Sequence, residues 1–296
     1  MQTDFSSPRL IVRPSLPTDT PDVLEFCKRI WDGEDYIPYV WDAWLADPRG
    51  QLFTAEYTGH AVGIARLTRL APGQWWLEGF RVDPAHQDKK IGSHLHNYLT
   101  EWWLEHGEGV VRLWTNAKRV KVHHLCEKTG FVKTCEHMMH ISQPLEGSGE
   151  AFQPIHAEEI PAALALIQKA ESLPFTGGLM DVGWEMAAPS EALLRDFLAR
   201  PDGQILWWKG GRGLLCVWDD EDPGAMSLFI GLAACAVADL PALLQDARHF
   251  AGQKYKALIW DPIVEPQLAE ILAQAGFEAQ TDDWNFQFEL VHPSRT

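Results

Sequence analysis

The chain has 296 residues, 46% of them hydrophobic, with 25 Lys+Arg against 41 Asp+Glu and a formal net charge of −16. That length accommodates two domains with cores of their own and the composition excludes a disordered chain, while the acidic balance opposes nonspecific attraction to nucleic acid or an anionic membrane. The charge is uneven: residues 1–147 hold 16 Lys+Arg against 19 Asp+Glu and residues 148–296 hold 9 against 22, so the cations able to meet a phosphate lie mostly in the first half. No run of about 18 apolar residues occurs, and Met1 to Pro14 lacks the basic-then-apolar layout of a signal peptide, so a cytoplasmic protein is expected. The five cysteines form no C-x-x-C pair and are odd in number, which points to reduced thiols rather than a disulfide framework or a zinc site.

In chain order, Leu10 to Pro14 reads as a strand. Thr18 to Thr20 before Pro21 reads as the cap of a helix carrying Val23, Leu24, Phe26, Cys27 and Ile30. Trp31 to Tyr39 (WDGEDYIPY) reads as a loop by its glycine, proline and acids, though it is rich in aromatics, and Trp41 to Leu45 as a short helix. Gln51–Tyr57 and Ala61–Leu70 form a hairpin around Gly59, and Pro72-Gly73 turns the chain into a third antiparallel strand, Trp76 to Val82, which Asp83-Pro84 ends. Ile91, Leu95, Leu99, Trp102 and Trp103 recur at helical spacing as far as Gly107. Val110 to Thr115 is a buried-type strand reached by that helical crossover, hence parallel to its predecessor. Lys118 to Lys128 is a helix closed by Gly130, and a last strand covers Phe131 to Ile141.

Gln143 to Glu150 is a polar linker, after which the chain begins again. Phe152 to Pro154, the pair Gln204–Lys209 and Gly213–Asp219, and Met226–Leu232 read as strands. The helix Leu240–Ala251, the strand Ala257–Trp260, the helix Gln267–Ala275 with Gly276-Phe277, and the strand Asn285–Val291 complete a second copy of the first order. Two domains, 1–146 and 150–296, are expected.

Gln87 to Gly92 sits where a helix begins. First-turn N–H groups lack intrahelical partners and the helix dipole is positive there, with Lys89 and Lys90 alongside, so the stretch reads as an anion site, for a phosphate or pyrophosphate. Val82-Asp83-Pro84 followed by Gln87-x-x-x-x-Gly92 resembles the acetyl-coenzyme A loop of the GNAT N-acetyltransferases, V-x-P then Q/R-x-x-G-x-G/A, with Lys90 in place of the first loop glycine. Leu125-Cys126-Glu127-Lys128-Thr129-Gly130-Phe131 is similar to the family's L-Y-E-x-x-G-F marker, with Cys126 in place of tyrosine. The resemblance implies an α/β GNAT fold with a mixed central sheet and flanking helices, in two tandem copies. It also implies acetyl-CoA as cosubstrate with no metal, and transfer of the acetyl group to an amine. The second copy has no basic, glycine-spaced loop at Gly231 to Val237 and is expected to have lost the cofactor.

Carried over residue by residue, the resemblance assigns acetyl-CoA contacts to Phe80, Arg81, Val82, Gln87, Asp88, Lys89, Lys90, Ile91, Gly92 and Ser93; Arg119 stands where the family usually has asparagine near the pantetheine, and reads as reaching a CoA phosphate instead or as a solvated residue. Glu78 is the candidate general base, since an amine must lose a proton before it attacks and an apolar setting brings a carboxylate towards the working range. The alternative is a solvent-facing strand glutamate, or one paired with Arg81 or Arg112. Cys126 stands where the family's tyrosine protonates the leaving thiolate, with a packed helix cysteine as the bland alternative. Asp35, Tyr36, Trp41 and His140 are candidate substrate residues, the acids of the 31–42 loop suiting a cationic amine. His123-His124 and His137-x-x-His140 do not read as metal ligands, because their spacings point the rings apart. The WDGEDYIP run, the WWLEGFRVDP strand and the doubled architecture resemble the family's tandem histidine N-acetyltransferases, vertebrate and bacterial. That implies a small-molecule partner, the α-amine of a free amino acid, in a monomer or homodimer. The rival class is a noncatalytic acyl-CoA-binding sensor, suggested by Lys90 and Cys126.

Overall fold

A computed structural model describes residues 10–222, 225–252 and 254–293, giving only the backbone of residues 220–222, 225 and 283; residues 1–9 of the stretch compared with a leader lie outside them. The chain forms two compact units, neither continuous in sequence. Unit one comprises Met1–Leu113, Lys121–Val132 and Glu289–Thr296, and unit two Trp114–Val120 and Lys133–Phe288.

The elements of the first half are β1 (Leu10–Pro14), α1 (Thr20–Cys27), α2 (Ile37–Ala46), β2 (Gly50–Tyr57), β3 (His60–Ala71), β4 (Gln74–Val82), α3 (Ile91–His106), β5 (Val110–Asn116) and α4 (Val120–Lys128). Then come β6 (Val132–Ser142), β7 (Phe152–Pro154), α5 (Ile160–Lys169), β8 (Met180–Asp181), β9 (Met186–Ala187), α6 (Glu191–Ala199), β10 (Gly203–Trp208), β11 (Gly213–Asp222) and β12 (Ala225–Ala234). The chain ends with α7 (Leu240–Ala251), β13 (Ala257–Trp260), α8 (Pro266–Gln274) and β14 (Glu278–Val291). No helix among the described residues is long and apolar enough to cross a membrane.

In unit one the sheet order is β1-β2-β3-β4-β5 followed by the end of β14. The first four strands are antiparallel neighbours and β5 runs parallel to β4, as a helical crossover requires. Residues Ile91, Leu95, Leu99 and Trp103 of α3 recur every fourth position and are all buried, while α1 buries Val23, Phe26 and Cys27 in a cluster with Ile37, Trp41 and Ile64. Helix α2 starts at Ile37, four residues before the expected Trp41, because Pro38 occupies the first turn, where its missing N–H costs no hydrogen bond.

In unit two, β14 is followed by β6-β13-β12-β11-β10-β7. Sequence order alone would close the first half with β6, but β6 pairs antiparallel with β13, Ile141 opposite Ile259, and the strand beside β5 in unit one is the end of β14. The core of unit two gathers Leu206, Leu215, Val217, Leu228 and Leu258 of the sheet against Leu243, Leu244 and Leu272 of α7 and α8.

Candidate active site

The centre of unit one is a defect in β4. Arg66 lies opposite Glu78, but Ile64 lies opposite Arg81, so β4 carries an extra residue at this point. Gly79 absorbs it with φ +62, and a Cβ there would lie 2.5 Å from Cζ3 of Trp44, so glycine is required for conformation and for space. The β4–β5 ladder covers only Gln74 to Trp76, whereas β4 continues to Val82. Past the bulge the β5-facing edge of β4 is therefore not spent on β5. A lone glycine inside an apolar strand signals a bulge or a close backbone approach, and Gly79 carries that signal in the sequence.

Glu78 sits directly before the bulge, its side chain 12% exposed. The apolar setting expected for it is corrected: its Oε1 accepts from Thr68 Oγ1 at 2.5 Å and from Arg66 Nη1 at 3.3 Å. The partner is Arg66, not Arg81 or Arg112. Arg81 is bidentate to Asp35, Nε–Oδ2 3.0 Å and Nη2–Oδ1 3.1 Å, and its guanidinium lies over Trp31 and Tyr36, 4.3 and 5.1 Å from the ring centroids. Arg112 pairs with Glu289 at 2.8 Å.

These pairings reassign two substrate candidates. The Asp35 carboxylate is 0% exposed and consumed by Arg81, so it fixes the loop rather than greeting a cation. Trp41 is a core residue whose indole N–H donates to Thr20 Oγ1 at 2.9 Å. Tyr36 is exposed on one side and packs against Trp31 and Trp44; desolvation first, and then the Glu78 and Asp35 carboxylates, raise its pKa against the pull of Arg81. His140 is on β6 in unit two, buried, its Nδ1 2.8 Å from the Met138 carbonyl oxygen.

Beyond β4, Asp83 organises the turn into α3. Its carboxylate accepts from Ala85 N at 3.0 Å, from Arg29 Nη2 at 3.1 Å, and meets His86 Nδ1 at 3.0 Å. Burial alone would raise its pKa, but these contacts outweigh it and hold the carboxyl below its ordinary value. Asp88 and Lys90 then adopt left-handed conformations, φ 64 and 59, and α3 begins at Ile91. Lys90 thus takes the backbone conformation that a glycine would take freely. Lys89 and Lys90 are exposed, Lys89 Nζ lying 5.0 Å from the Tyr57 ring centroid, and Lys121 meets Asp88 at 3.3 Å. A Cβ on Gly92 would make only ordinary contact with Phe80, at 3.6 Å. The protein itself therefore does not require glycine at 92, whereas an anion seated on the α3 amides would. Gln87, Asp88, Lys89, Lys90, Ile91, Gly92 and Ser93 are brought together; Arg119 is exposed and belongs to unit two.

Cys126 is corrected as a catalytic candidate. Its side chain is 0% exposed on α4, and burial first, with Glu127 adding to it, pushes the thiol up to about 12. It is a packed helix cysteine.

Unit two carries a bulge of the same kind. Its bulge is at Gly231, between Cys216 opposite Leu232 and Val217 opposite Ile230, so Ile230 stands immediately before the bulge, as Glu78 does in unit one. The Asp181 carbonyl oxygen lies 2.3 Å from where a Gly231 Cβ would sit, so the chain's own loop covers the bulge. Before α7, Val237 N donates to Glu171 Oε2 at 3.0 Å and Asp239 pairs with Arg212, so carboxylates surround that helix start.

A bulged strand feeding a basic helix start, on an antiparallel sheet that turns parallel at β5, defines the GNAT fold. Residues 19–131 match the model of the Acetyltransferase (GNAT) family. The chain is 24% identical over 201 residues to Probable N-acetyltransferase 16 of Homo sapiens, covering 60% of this chain and 54% of the relative, and so spans about half the length of that curated relative. A GCN5-related N-acetyltransferase from Sphaerobacter thermophilus superposes with a TM-score of 0.63 at 12% identity, over 97% of this chain and 98% of that one. A tandem GNAT protein from the clavulanic acid biosynthesis pathway superposes with a TM-score of 0.62 at 13% identity, over 95% and 98%. At these identities the structural likenesses describe the fold, and they extend it over nearly the whole chain.

Proposed function

We propose that the chain transfers the acetyl group of acetyl-CoA to a primary amine of a small molecule, the α-amine of a free amino acid such as histidine being the favoured acceptor. The observation that carries this reading is Glu78, placed directly before the bulge of the strand that leads into the Gln87–Ser93 helix start. The α3 first-turn amides with Lys89 and Lys90 hold the pyrophosphate, and the β4 edge at Phe80 to Val82 holds the pantetheine arm and polarises the thioester oxygen. Acetyl-CoA supplies the thioester carbon that the amine attacks, with the CoA thiolate as leaving group. Glu78 accepts the ammonium proton, directly or through one water, and the amine lone pair is thereby freed. With Cys126 buried, the leaving thiolate takes its proton from water or from the reacting amine. Asp32, Glu34 and Asp42 are exposed in the segment that carries Trp31, Tyr36 and Tyr39, an acidic and aromatic composition that suits a small cationic amine. The likeness to Probable N-acetyltransferase 16 supports acetylation, and the tandem-family resemblance supports an amino-acid acceptor.

Mixing the protein with acetyl-CoA and a panel of amino acids, polyamines and aminoglycosides, and following free-CoA release, tests the reading. Release with an amino acid, histidine first, is expected. Tight acetyl-CoA binding with no release for any amine would favour the sensor instead.

A further inference from the structure

We propose that Arg66, held between Asp47 and Glu78, is a positioning residue that sets both the orientation and the working pH of the general base. The proposal rests on the reading of Glu78 as that base. Arg66 is 3% exposed, a position where a long cation is rarely found unless it is paired. Its Nη2 reaches Asp47 Oδ2 at 2.6 Å and its Nη1 reaches Glu78 Oε1 at 3.3 Å. The guanidinium carbon lies 4.9 Å from the Trp44 ring centroid. On the other side, a Cβ on Gly50 would lie 2.4 Å from Arg66 Nε, so the missing side chain at 50 makes the slot in which the guanidinium rests. Gly50 faces Thr68 across β2 and β3, and Thr68 is the second donor to Glu78 Oε1. Three elements thus contribute to one carboxylate: β3 supplies Arg66 and Thr68, the end of α2 supplies Asp47 and Trp44, and β2 supplies the vacancy.

Such a burial is costly unless the charge does something. Nε of Arg66 is buried without a hydrogen-bond partner, a penalty that a purely apolar strand residue would avoid. What the arrangement provides is a divided cation. Asp47 shares the guanidinium with Glu78, so Glu78 feels less than a full positive charge while Arg66 and Thr68 fix its oxygen in place. The charged and titratable groups around Glu78 include Arg66 on β3, Asp47 at the end of α2 with its second partner Arg49 at 3.2 Å, and Tyr36 before α2, with the Arg81–Asp35 pair behind Tyr36. Removing Asp47 or removing the cation itself should therefore move the acid limb of kcat, in opposite directions. Asp47→Asn leaves Arg66 wholly to Glu78 and makes it a weaker base. Arg66→Met takes the cation from Glu78 while Asp47 keeps Arg49, and makes Glu78 a stronger but less well-placed base.

The experiment is the pH profile of kcat at saturating acetyl-CoA and L-histidine, or whichever amine of the panel turns over fastest, for wild type, Asp47→Asn, Arg66→Met, Arg66→Lys and Thr68→Val. Thermal unfolding of each variant is measured beside it. Asp47→Asn is expected to shift the acid limb down by about one pH unit and Arg66→Met to shift it up by about one. Arg66→Met should also lower the plateau about tenfold, with Arg66→Lys restoring part of both, and Thr68→Val, which removes a hydrogen bond to the carboxylate, moving the limb up and lowering the plateau. If Arg66→Met does not fold, the downward shift in Asp47→Asn, opposite in direction to that of Thr68→Val, carries the test. Limbs that stay within 0.2 of wild type (roughly the precision of such profiles) in folded variants, with only stability changed, overturn the proposal. Glu78→Gln separates the two levels. Full activity in that variant defeats the reading of Glu78 as base and this proposal with it, whereas lost activity with unmoved limbs defeats this proposal alone.

Discussion

Lys90 shows how much one residue can hide. In the sequence it looks like damage to a phosphate loop, a side chain where the family pattern has glycine. In the structure it keeps the left-handed backbone, φ 59, that the glycine would have supplied. An L-residue there costs roughly 1 kcal/mol relative to glycine. Lys90→Gly is therefore expected to raise the unfolding free energy by up to about 1 kcal/mol, read as a higher denaturation midpoint, while acetyl-CoA binds with similar or slightly lower affinity through the loss of one cation. A destabilised Lys90→Gly variant would mean that the lysine side chain holds the turn. Lys89→Glu with Lys90→Glu should weaken acetyl-CoA binding, and 3′-dephospho-CoA should show which phosphate the lysines serve. Cys126 is the converse case, a position whose marker context suggested chemistry and whose burial removes it. Cys126→Ala should keep turnover within about tenfold, since losing a residue that reacts costs orders of magnitude more. An acetylated Cys126 peptide formed on the timescale of turnover would contradict that.

At the scale of elements, periodicity carried most of the fold. The spacing of Ile91, Leu95, Leu99 and Trp103 specified α3 and its buried face, and the glycine turns specified the β2–β3–β4 meander. What periodicity does not contain is a partner across the sheet. Nothing in the residues of Lys133 to Ser142 says that β6 will lie beside β13, because strand pairing between distant segments depends on edges that only the folded chain creates. The same limit hid Arg66: its position on β3 was readable, its partner Glu78 was not. The bulge at Gly79 had a signal, a glycine within an apolar strand, and that signal has a measurable consequence. Gly79→Ala must place a Cβ 2.5 Å from Trp44 at φ +62, so it should destabilise unit one by several kcal/mol, of the order of 3, and weaken acetyl-CoA binding as the β4 edge shifts. Helix α3 supplies a pH test. His96 is buried, its Nε2 2.9 Å from Thr129 Oγ1, and burial lowers its pKa from 6.5 to about 4. The unfolded imidazole binds a proton that the folded one refuses. The stabilisation is thus present above about 6.5 and is lost as pH falls towards 4, by up to about 3 kcal/mol. Denaturation midpoints between pH 7 and 4 should fall less steeply in His96→Gln than in wild type; equal slopes would assign the loss to other groups.

For the whole molecule the account predicts division of labour between the two copies. Ile230 stands before the bulge of unit two where Glu78 stands in unit one, and Glu171 accepts the Val237 amide at the start of its helix, so the chain should bind acetyl-CoA once. Titration calorimetry should give a stoichiometry near one per chain, and a value of two would return a cofactor to the second copy. The expectation of a second copy rests on Gly276-Phe277 repeating Gly130-Phe131 before a strand; the contacts at Gly231 and Val237 were not legible, since each is made with a distant segment. The most direct test of the central claim is the pH–rate profile of Glu78→Gln, with acetyl-CoA affinity measured on the same preparation. Affinity should stay at the wild-type level while the rate near neutral pH falls by roughly 10²–10⁴, and the deficit should shrink as rising pH lets the amine supply its own free base. Full activity at pH 7, or loss of acetyl-CoA binding together with activity, would contradict the account and make Glu78 a structural partner of Arg66.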